Sequence, residues 1–594
     1  MKFRFLIFLA GFILCMQVLI NSCKAPVAKP TGENAVKEFY FSATDTVLKK
    51  LDLLAAATTA DDSVKMRQYF LESRIAYKTT EAVTEYFFQG LNKRINGPAL
   101  PDVRVDDGIV WPPHGFQVLE QLIWEAPDSS RQKLITEINV LKTDLMFTKT
   151  NLSAMAILPH HLQELIQHQI IRIATISLPG TDVPLCGNNF PEMQSSLSSL
   201  KTLALFRDNT KPVTFIDSTI NYLEHHGNEE NFDAMYFIRK YLMPLSDSIA
   251  LALKEDTTLN KPFYGGLSSL LKGKSFNSDY FANYSIAGSN AAKVELGKKL
   301  FYEKLLSGSQ SMSCASCHKP ELHFTDGEAK AKNFVHGGNL ARNSPTLLYA
   351  GFQKRQFFDM RSATLEDQVN EVMNSTEEFN LSANDAVQKI TQRREYKALV
   401  QKAFNGADTI NSFYIRNAIA AYIRSLPKFN SPFDRYMNGE DSALSRQQIQ
   451  GFNLFMTKAK CGTCHFMPLF NGTIPPFYSN SESEVIGVPR QPVFKNAVID
   501  SDSGRYLINP FAELLFAFKT PTVRNAAFTG PYMHNGVFKT LDQVIEFYDE
   551  GGGNGTGMNL ENQTLPSDKL QLKQEETQAL IAFIKGLSDG DYTK

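Results

Sequence analysis

Cys314-Ala-Ser-Cys317-His318 and Cys461-Gly-Thr-Cys464-His465 are two copies of one pentad, Cys-x-x-Cys-His, set 147 residues apart. That spacing suits covalent haem c attachment. Two thiols add to the haem vinyl groups, and the histidine that follows becomes an axial iron ligand. A structural zinc site also uses Cys-x-x-Cys pairs, but it needs no histidine directly after both of them. A thioredoxin-like dithiol needs a single copy, near a βαβ pattern. The repeated pentad therefore predicts two haems, attached through Cys314, Cys317, Cys461 and Cys464 and ligated by His318 and His465.

The elements that must hold these groups read as helices. Ile415, Ile419, Tyr422, Ile423 and Leu426 form one apolar face after Ser412, stopped by Pro427. Thr540 and Gln543 form a capping box ahead of Leu541, Val544, Ile545 and Tyr548, which fall on one face and turn Tyr548 inward. A closing helix carries Leu580, Phe583, Ile584 and Leu587 on one side, as in small c-type cytochromes. The Gly551–Gly557 run lacks the Gly-Lys-Ser/Thr of a phosphate loop and reads as a flexible turn. Residues 36–255 are also helical, interrupted by a Pro/Gly-rich loop from Gly97 to Pro113 and showing no strand-turn-strand rhythm.

At 594 residues the chain should divide into three or four domains. Its 43% hydrophobic and 21% charged residues are those of an ordinary globular protein, and with a net charge of −1 nothing suggests a polyanion partner, so no nucleic acid is expected. Four of the seven cysteines belong to the pentads and two, Cys15 and Cys23, to the leader. Cys186 is left over and reads as a small buried residue. Lys2 and Arg4 precede an apolar run from Phe5 to Ile20, and Leu19-Ile20-Asn21-Ser22-Cys23 resembles a bacterial lipobox with Cys23 as the acylated residue. The run is short of the ~20 residues of a membrane span. An exported, periplasmic-side lipoprotein, held to the membrane by its lipid, is expected.

From residue 285 onward the sequence resembles the bacterial diheme cytochrome c peroxidase family, which includes the MauG-type enzymes. Five segments carry the likeness in family order: 296–320 with the first pentad, HGGNLARNSPTLL at 336–348, FFDMRSATLEDQ at 357–368, CGTCHFMPLFNG at 461–472, and 518–548. The resemblance implies a peroxidatic haem at the first pentad and an electron-transfer haem at the second. It implies Glu378 as the catalytic acid–base group with Gln368 beside it, and His336 as a distal ligand of the first haem at rest. Tyr548, fourteen residues after His534, stands where classical peroxidases have methionine and MauG-type enzymes have tyrosine. As a ligand of the second haem it would favour ferric iron. Asn343, with the carbonyls of Thr529 and Pro531, matches an interdomain calcium site. Phe358 replaces the family's usual interhaem tryptophan, which argues against long-range oxidation of a protein substrate.

In the N-terminal half, Ser73–Lys78, Ile95–Pro98 and Gly115–Glu120 resemble imelysin-type helical domains, with Gln117 where that family's Gly-x-His-x-x-Glu signature has histidine. A plain scaffold is expected there. The expected architecture is all-α, in this order: signal peptide 1–22, tether 23–35, imelysin-like helical domain 36–255, linker 256–285, and cytochrome domains 286–430 and 431–594. The expected function is reduction of hydrogen peroxide to water by electrons from a small redox protein such as a c-type cytochrome, with a homodimer as the candidate assembly. The alternatives are a MauG-like oxidase of another substrate, a non-peroxidatic electron carrier, and an iron-acquisition lipoprotein.

Overall fold

The computed structural model describes residues 32–125, 131–206, 210–227, 232–250, 260–273, 275–282, 288–590 and 592. The signal peptide, Cys23 and most of the tether lie outside them. Among the described residues no helix is long and apolar enough to cross a membrane.

Helices dominate throughout. The long N-terminal pair, Glu33–Thr59 and Ser63–Phe87, turns back on itself at Asp62, whose side chain accepts from the Lys65 backbone N–H at 3.0 Å and caps the second helix. The first helix begins at Glu33, inside the expected tether, because Ala35 and Val36 are buried and give its first turn something to pack against. Further helices at Arg131–Ala154, Pro159–Arg172, Asn189–Leu205 and Lys211–His226 complete the bundle.

The bundle is not purely apolar at its centre. Arg74 pairs with Glu192 at 2.6 Å, Lys78 with Glu81 at 2.6 Å and Asp182 at 2.5 Å, and Arg172 with Glu85 at 2.5 Å, all of them buried. Such charges survive burial only because each faces an opposite one.

The haem half repeats one device. Ala291–Phe301 crosses Ser412–Arg424 ahead of and behind the first pentad, and Arg446–Met456 crosses Gln574–Lys585 around the second. At the first crossing a Cβ on Gly297 would sit 1.8 Å from the Ala418 carbonyl oxygen. At the second, a Cβ on Gly451 would sit 1.9 Å from that of Ala579. Only glycine permits either approach. Aromatic rings fill the angles between the helices, with Phe301 against Tyr422 and Phe455 against Phe583.

Three expectations need correction. The Gly97–Pro113 stretch holds an antiparallel pair, Asp102–Arg104 with Ile109–Trp111, which the sequence reading missed. Tertiary packing supplies the reason: Val103 and Val105 lie against Val485, Leu514 and Ala517 of the second haem domain. The described part of the 256–285 linker is no polar connector, since Phe263, Leu267, Leu270 and Leu271 are buried in the main core. Gly552–Gly555 is a helical turn rather than a flexible one, and Gly487 packs against Gly553 where no side chain would fit.

The N-terminal bundle sits on the second haem domain. Pro179 lies against Gly462, inside the second pentad, and Lys460 Nζ donates to the Pro184 carbonyl at 3.3 Å. Asn453 Oδ1 accepts from the Met235 N–H at 2.9 Å, and Arg239 pairs with Asp441 at 2.5 Å.

Candidate haem sites

Both pentads fold alike. Each opens with a single 3-10 turn, Cys314–Ser316 or Cys461–Thr463, and closes with the histidine N–H donating to the first cysteine's carbonyl, at 2.9 Å in His318 and 3.0 Å in His465. This turn brings both thiols and the imidazole to one side. His318 directs Nδ1 to the Phe324 carbonyl at 3.0 Å, and His465 directs Nδ1 to the Pro521 carbonyl at 3.0 Å. A carbonyl only accepts, so Nδ1 carries the proton and Nε2 keeps its lone pair, which is the arrangement of an iron ligand with its orienting partner. Burial lowers the pKa of His318 and pushes His465 down to about 4. All four pentad cysteines are free of disulfides. Both histidines and all four cysteines are half-buried, so solvent reaches part of each side chain. The residues present fit two covalently held haems.

At the first pentad, Glu378 stands close enough for its charge to raise the thiol pKa of Cys314 and Cys317. It follows the helix Leu365–Asn374, capped by the Thr364 side chain, and its own N–H donates to the Ser375 carbonyl at 3.1 Å. Burial raises the Glu378 pKa, while a hydrogen bond from Ser375 and the charge of Arg361 lower it. Gln368 lies half-buried on the same helix. His336 is elsewhere in character. It is exposed in the loop between Lys332 and Asn339, where its backbone N–H donates to Asn333 Oδ1 at 2.9 Å.

At the second pentad, the charges of Cys464 and Cys461 act on Tyr548, which lies on the helix Leu541–Asp549 behind the expected capping box. Burial raises its phenol pKa above the ordinary value. Two carboxyl groups share this site that sequence reasoning missed. Glu484 is pushed up to about 7, first by burial and then by the charge of Glu482, which burial also raises. Their signal was absent from the local sequence, because the pairing of Ser483–Glu484 with Phe518–Lys519 places them there.

Asn343 reaches the other domain, its Nδ2 donating to the Pro531 carbonyl at 3.1 Å and the Met533 carbonyl at 2.8 Å. Its Oδ1 is buried with no hydrogen-bond partner among the described residues. Beside it runs a line of ion pairs: Asp502 to Arg342 at 2.6 Å, Arg342 to Asp359 at 2.6 Å, Asp359 to Arg361 at 2.7 Å, and Arg361 to Glu371 at 2.7 Å.

The model of the di-haem cytochrome c peroxidase family matches residues 291–442. Cytochrome-c peroxidase IdrP2 of Pseudomonas sp. (strain SCT) is 34% identical over 321 residues, which is 50% of this chain and 82% of that protein. The chain belongs to the di-haem cytochrome c peroxidase family. Methylamine utilization protein MauG of Methylorubrum extorquens, a related member, is 31% identical over 50% of this chain and 78% of its own length. A solved MauG-like protein associated with microbial copper homeostasis aligns with 51% of this chain and 91% of its own, at 28% identity and a TM-score of 0.46. Membership implies two c-type haems, and the pentads are where this family member can hold them.

Proposed function

We propose that this protein is a di-haem peroxidase that reduces hydrogen peroxide to water, taking two electrons and two protons per peroxide from outside. The observation that carries the reading is the partly buried carboxyl of Glu378, whose charge acts on the thiols of the first pentad, where His318 keeps Nε2 free. A haem held by Cys314, Cys317 and His318 would supply the iron for peroxide chemistry, and one held by Cys461, Cys464 and His465 would supply a relay for electrons. Around them the chain handles binding and protons. Glu378, protonated more readily than a free carboxyl, accepts the proton from one peroxide oxygen and returns it to the other. Gln368 offers amide groups that orient the peroxide. His318 and His465 are held in one tautomer by the Phe324 and Pro521 carbonyls.

Tyr548 supports a sixth ligand of the MauG type at the second site, and it favours the second reading, a diheme oxidase of another substrate. Phe358 weighs against oxidation at a distance, because phenylalanine is hard to oxidise. In the N-terminal bundle, Gln117 Nε2 donates to the Asn96 carbonyl at 3.0 Å, and Glu120 accepts from the Cys186 N–H at 2.7 Å. His114 pairs with Glu137 instead. With its metal-ligand candidates engaged in this way, the bundle reads as an imelysin-like scaffold rather than an iron-acquisition site. The unpaired Asn343 Oδ1, near the Thr529–Pro531 turn, supports a calcium ion bridging the two haem domains. We place the protein on the periplasmic side, anchored through Cys23, with a small c-type cytochrome as donor and a homodimer as its assembly.

The test is a spectroscopic titration of the purified holoprotein through half reduction, followed by peroxide and a reduced c-type cytochrome. A high-spin haem at or before half reduction, with rapid peroxide-dependent donor oxidation, is the expected result. Two low-spin haems inert to peroxide would overturn the reading.

A further inference from the structure

The carbonyl that orients the first site's histidine belongs to a strained turn, and the rings that brace this turn come from beyond the second pentad. His323 and Phe324 take left-handed conformations in succession, at φ 53° and 60°. Non-glycine residues seldom do so singly, and two together persist only where their surroundings hold them. Local hydrogen bonds supply part of the hold. The His323 N–H donates to the Pro320 carbonyl at 3.1 Å, the Phe324 N–H to that of Lys319 at 2.8 Å, and Thr346 Oγ1 to the His323 carbonyl at 2.6 Å. In this conformation the Phe324 carbonyl meets His318 Nδ1 at 3.0 Å.

The rest of the hold is aromatic. The Phe528 ring stacks on His323, with 4.5 Å between centroids and 10° between planes. Tyr592 stands edge-on to both rings of the turn, 5.6 Å from His323 and 5.9 Å from Phe324. Tyr592 is itself tied down. Its hydroxyl donates to Asp589 Oδ2 at 3.0 Å, and Lys428 Nζ lies 4.1 Å over its ring. Asp589 is 5% exposed and also accepts from the Tyr349 hydroxyl at 2.6 Å and the Asn430 N–H at 3.1 Å. Its own N–H donates to Asn525 Oδ1 at 2.9 Å.

We propose that Tyr592 is a positioning residue for the first haem site: it braces the His323–Phe324 turn, keeps the Phe324 carbonyl on His318 Nδ1, and so sets how strongly His318 donates to iron. The proposal rests on haem attachment at Cys314 and Cys317, not on which substrate that haem reduces. A histidine whose Nδ1–H is held by a carbonyl is the more basic ligand through Nε2. A more basic ligand favours ferric over ferrous iron. Without the Tyr592 ring the turn is free to return to negative φ, which rotates the Phe324 carbonyl off Nδ1. The first haem then becomes easier to reduce. His465 takes its carbonyl from Pro521, on a different segment, so the second haem serves as the internal control.

The test uses the full-length holoprotein with Tyr592→Ala, Tyr592→Phe and Phe528→Ala. Spectroelectrochemical titration gives the midpoint potential of each haem, and crystal structures give the distance from His318 Nδ1 to the Phe324 oxygen. Tyr592→Ala should raise the one-electron reduction constant of the first haem about tenfold, a shift of about 59 mV, and leave the second haem unmoved. The distance should open beyond the ~3.2 Å limit of a good hydrogen bond. Tyr592→Phe keeps the ring and should recover most of the wild-type potential. Phe528 is 55% exposed, so Phe528→Ala leaves the core intact and should shift the first haem the same way by less. An unchanged first-haem potential and distance in Tyr592→Ala would overturn the proposal, and so would equal shifts at both haems. Peroxide inertness of the wild type would instead sink the peroxidase reading, leaving these two readouts to judge Tyr592 separately.

Discussion

Replacing Tyr548 with phenylalanine probes the second haem site most directly. The phenol lies at the second pentad, and burial holds its pKa above the ordinary value. A phenol of pKa about 10 is roughly 0.1% ionised at pH 7, and burial lowers that fraction further. When free, Tyr548 is therefore neutral between about pH 6 and pH 8; as a ligand of ferric iron it is a phenolate. Ionising it at pH 7 costs about 4 kcal/mol even at the ordinary pKa, a cost that the ferric charge must offset. Reduction that frees the phenol takes up one proton with one electron. The midpoint potential of the second haem should then fall by about 59 mV for each pH unit. The assay is a spectroelectrochemical titration at several pH values, wild type against Tyr548→Phe. Wild type should show the slope, and the variant should be flat. Glu484, pushed up to about 7 by burial, also titrates in this window at the second pentad. Glu484→Gln should leave the slope in place. A slope that persists in Tyr548→Phe would refute the ligand assignment, and a slope lost in Glu484→Gln would move the proton to that carboxyl.

Glu378→Gln should slow peroxide reduction by about a hundred- to ten-thousand-fold while leaving both haem spectra unchanged, as read by stopped-flow absorbance. Arg524 is fully buried and holds Asp434 at 2.8 Å and the Pro468 carbonyl at 2.7 Å, so Arg524→Met should cost about 3–5 kcal/mol in chemical denaturation. Adding Asp434→Asn should recover part of that loss. Gly451→Ala must push the Arg446–Met456 helix away from the Ala579 carbonyl of the Gln574–Lys585 helix, and should destabilise by about 1–3 kcal/mol with a perturbed second-haem spectrum. His534 is 3% exposed and burial pushes it down to about 4, against about 6.5 in the unfolded chain. The unfolded chain binds the additional proton, so stability should fall as pH drops from about 6.5 towards 4, by up to about 3 kcal/mol, and thermal melts across that range would show it.

Much of the site was legible in the sequence because its chemistry is local. The two pentads are single turns, so five consecutive residues suffice to place two thiols and an imidazole. The capping box at Thr540 and Gln543 is likewise a property of one helix, whose buried face is Leu541, Ile545 and Phe547, with Val544 and Tyr548 half-buried beside it. The strand pair at Asp102–Trp111 was missed because its packing partners, Val485, Leu514 and Ala517, lie nearly four hundred residues away. The buried leucines of 267–271 were read as connector because a short apolar cluster among polar residues does not announce what covers it.

The sequence by itself determined the cofactor chemistry and the helical class, since thiol spacing and the 3.6-residue period act over a few neighbouring residues. Tertiary structure alone decided which charges meet. It brought Glu482 and Glu484 to the second pentad through a two-residue strand, seated Pro179 on Gly462, and ran the ion pairs from Asp502 to Glu371 across two domains. Electrostatic coupling depends on distance through space and on burial, and neither is written in the spacing of residues along the chain.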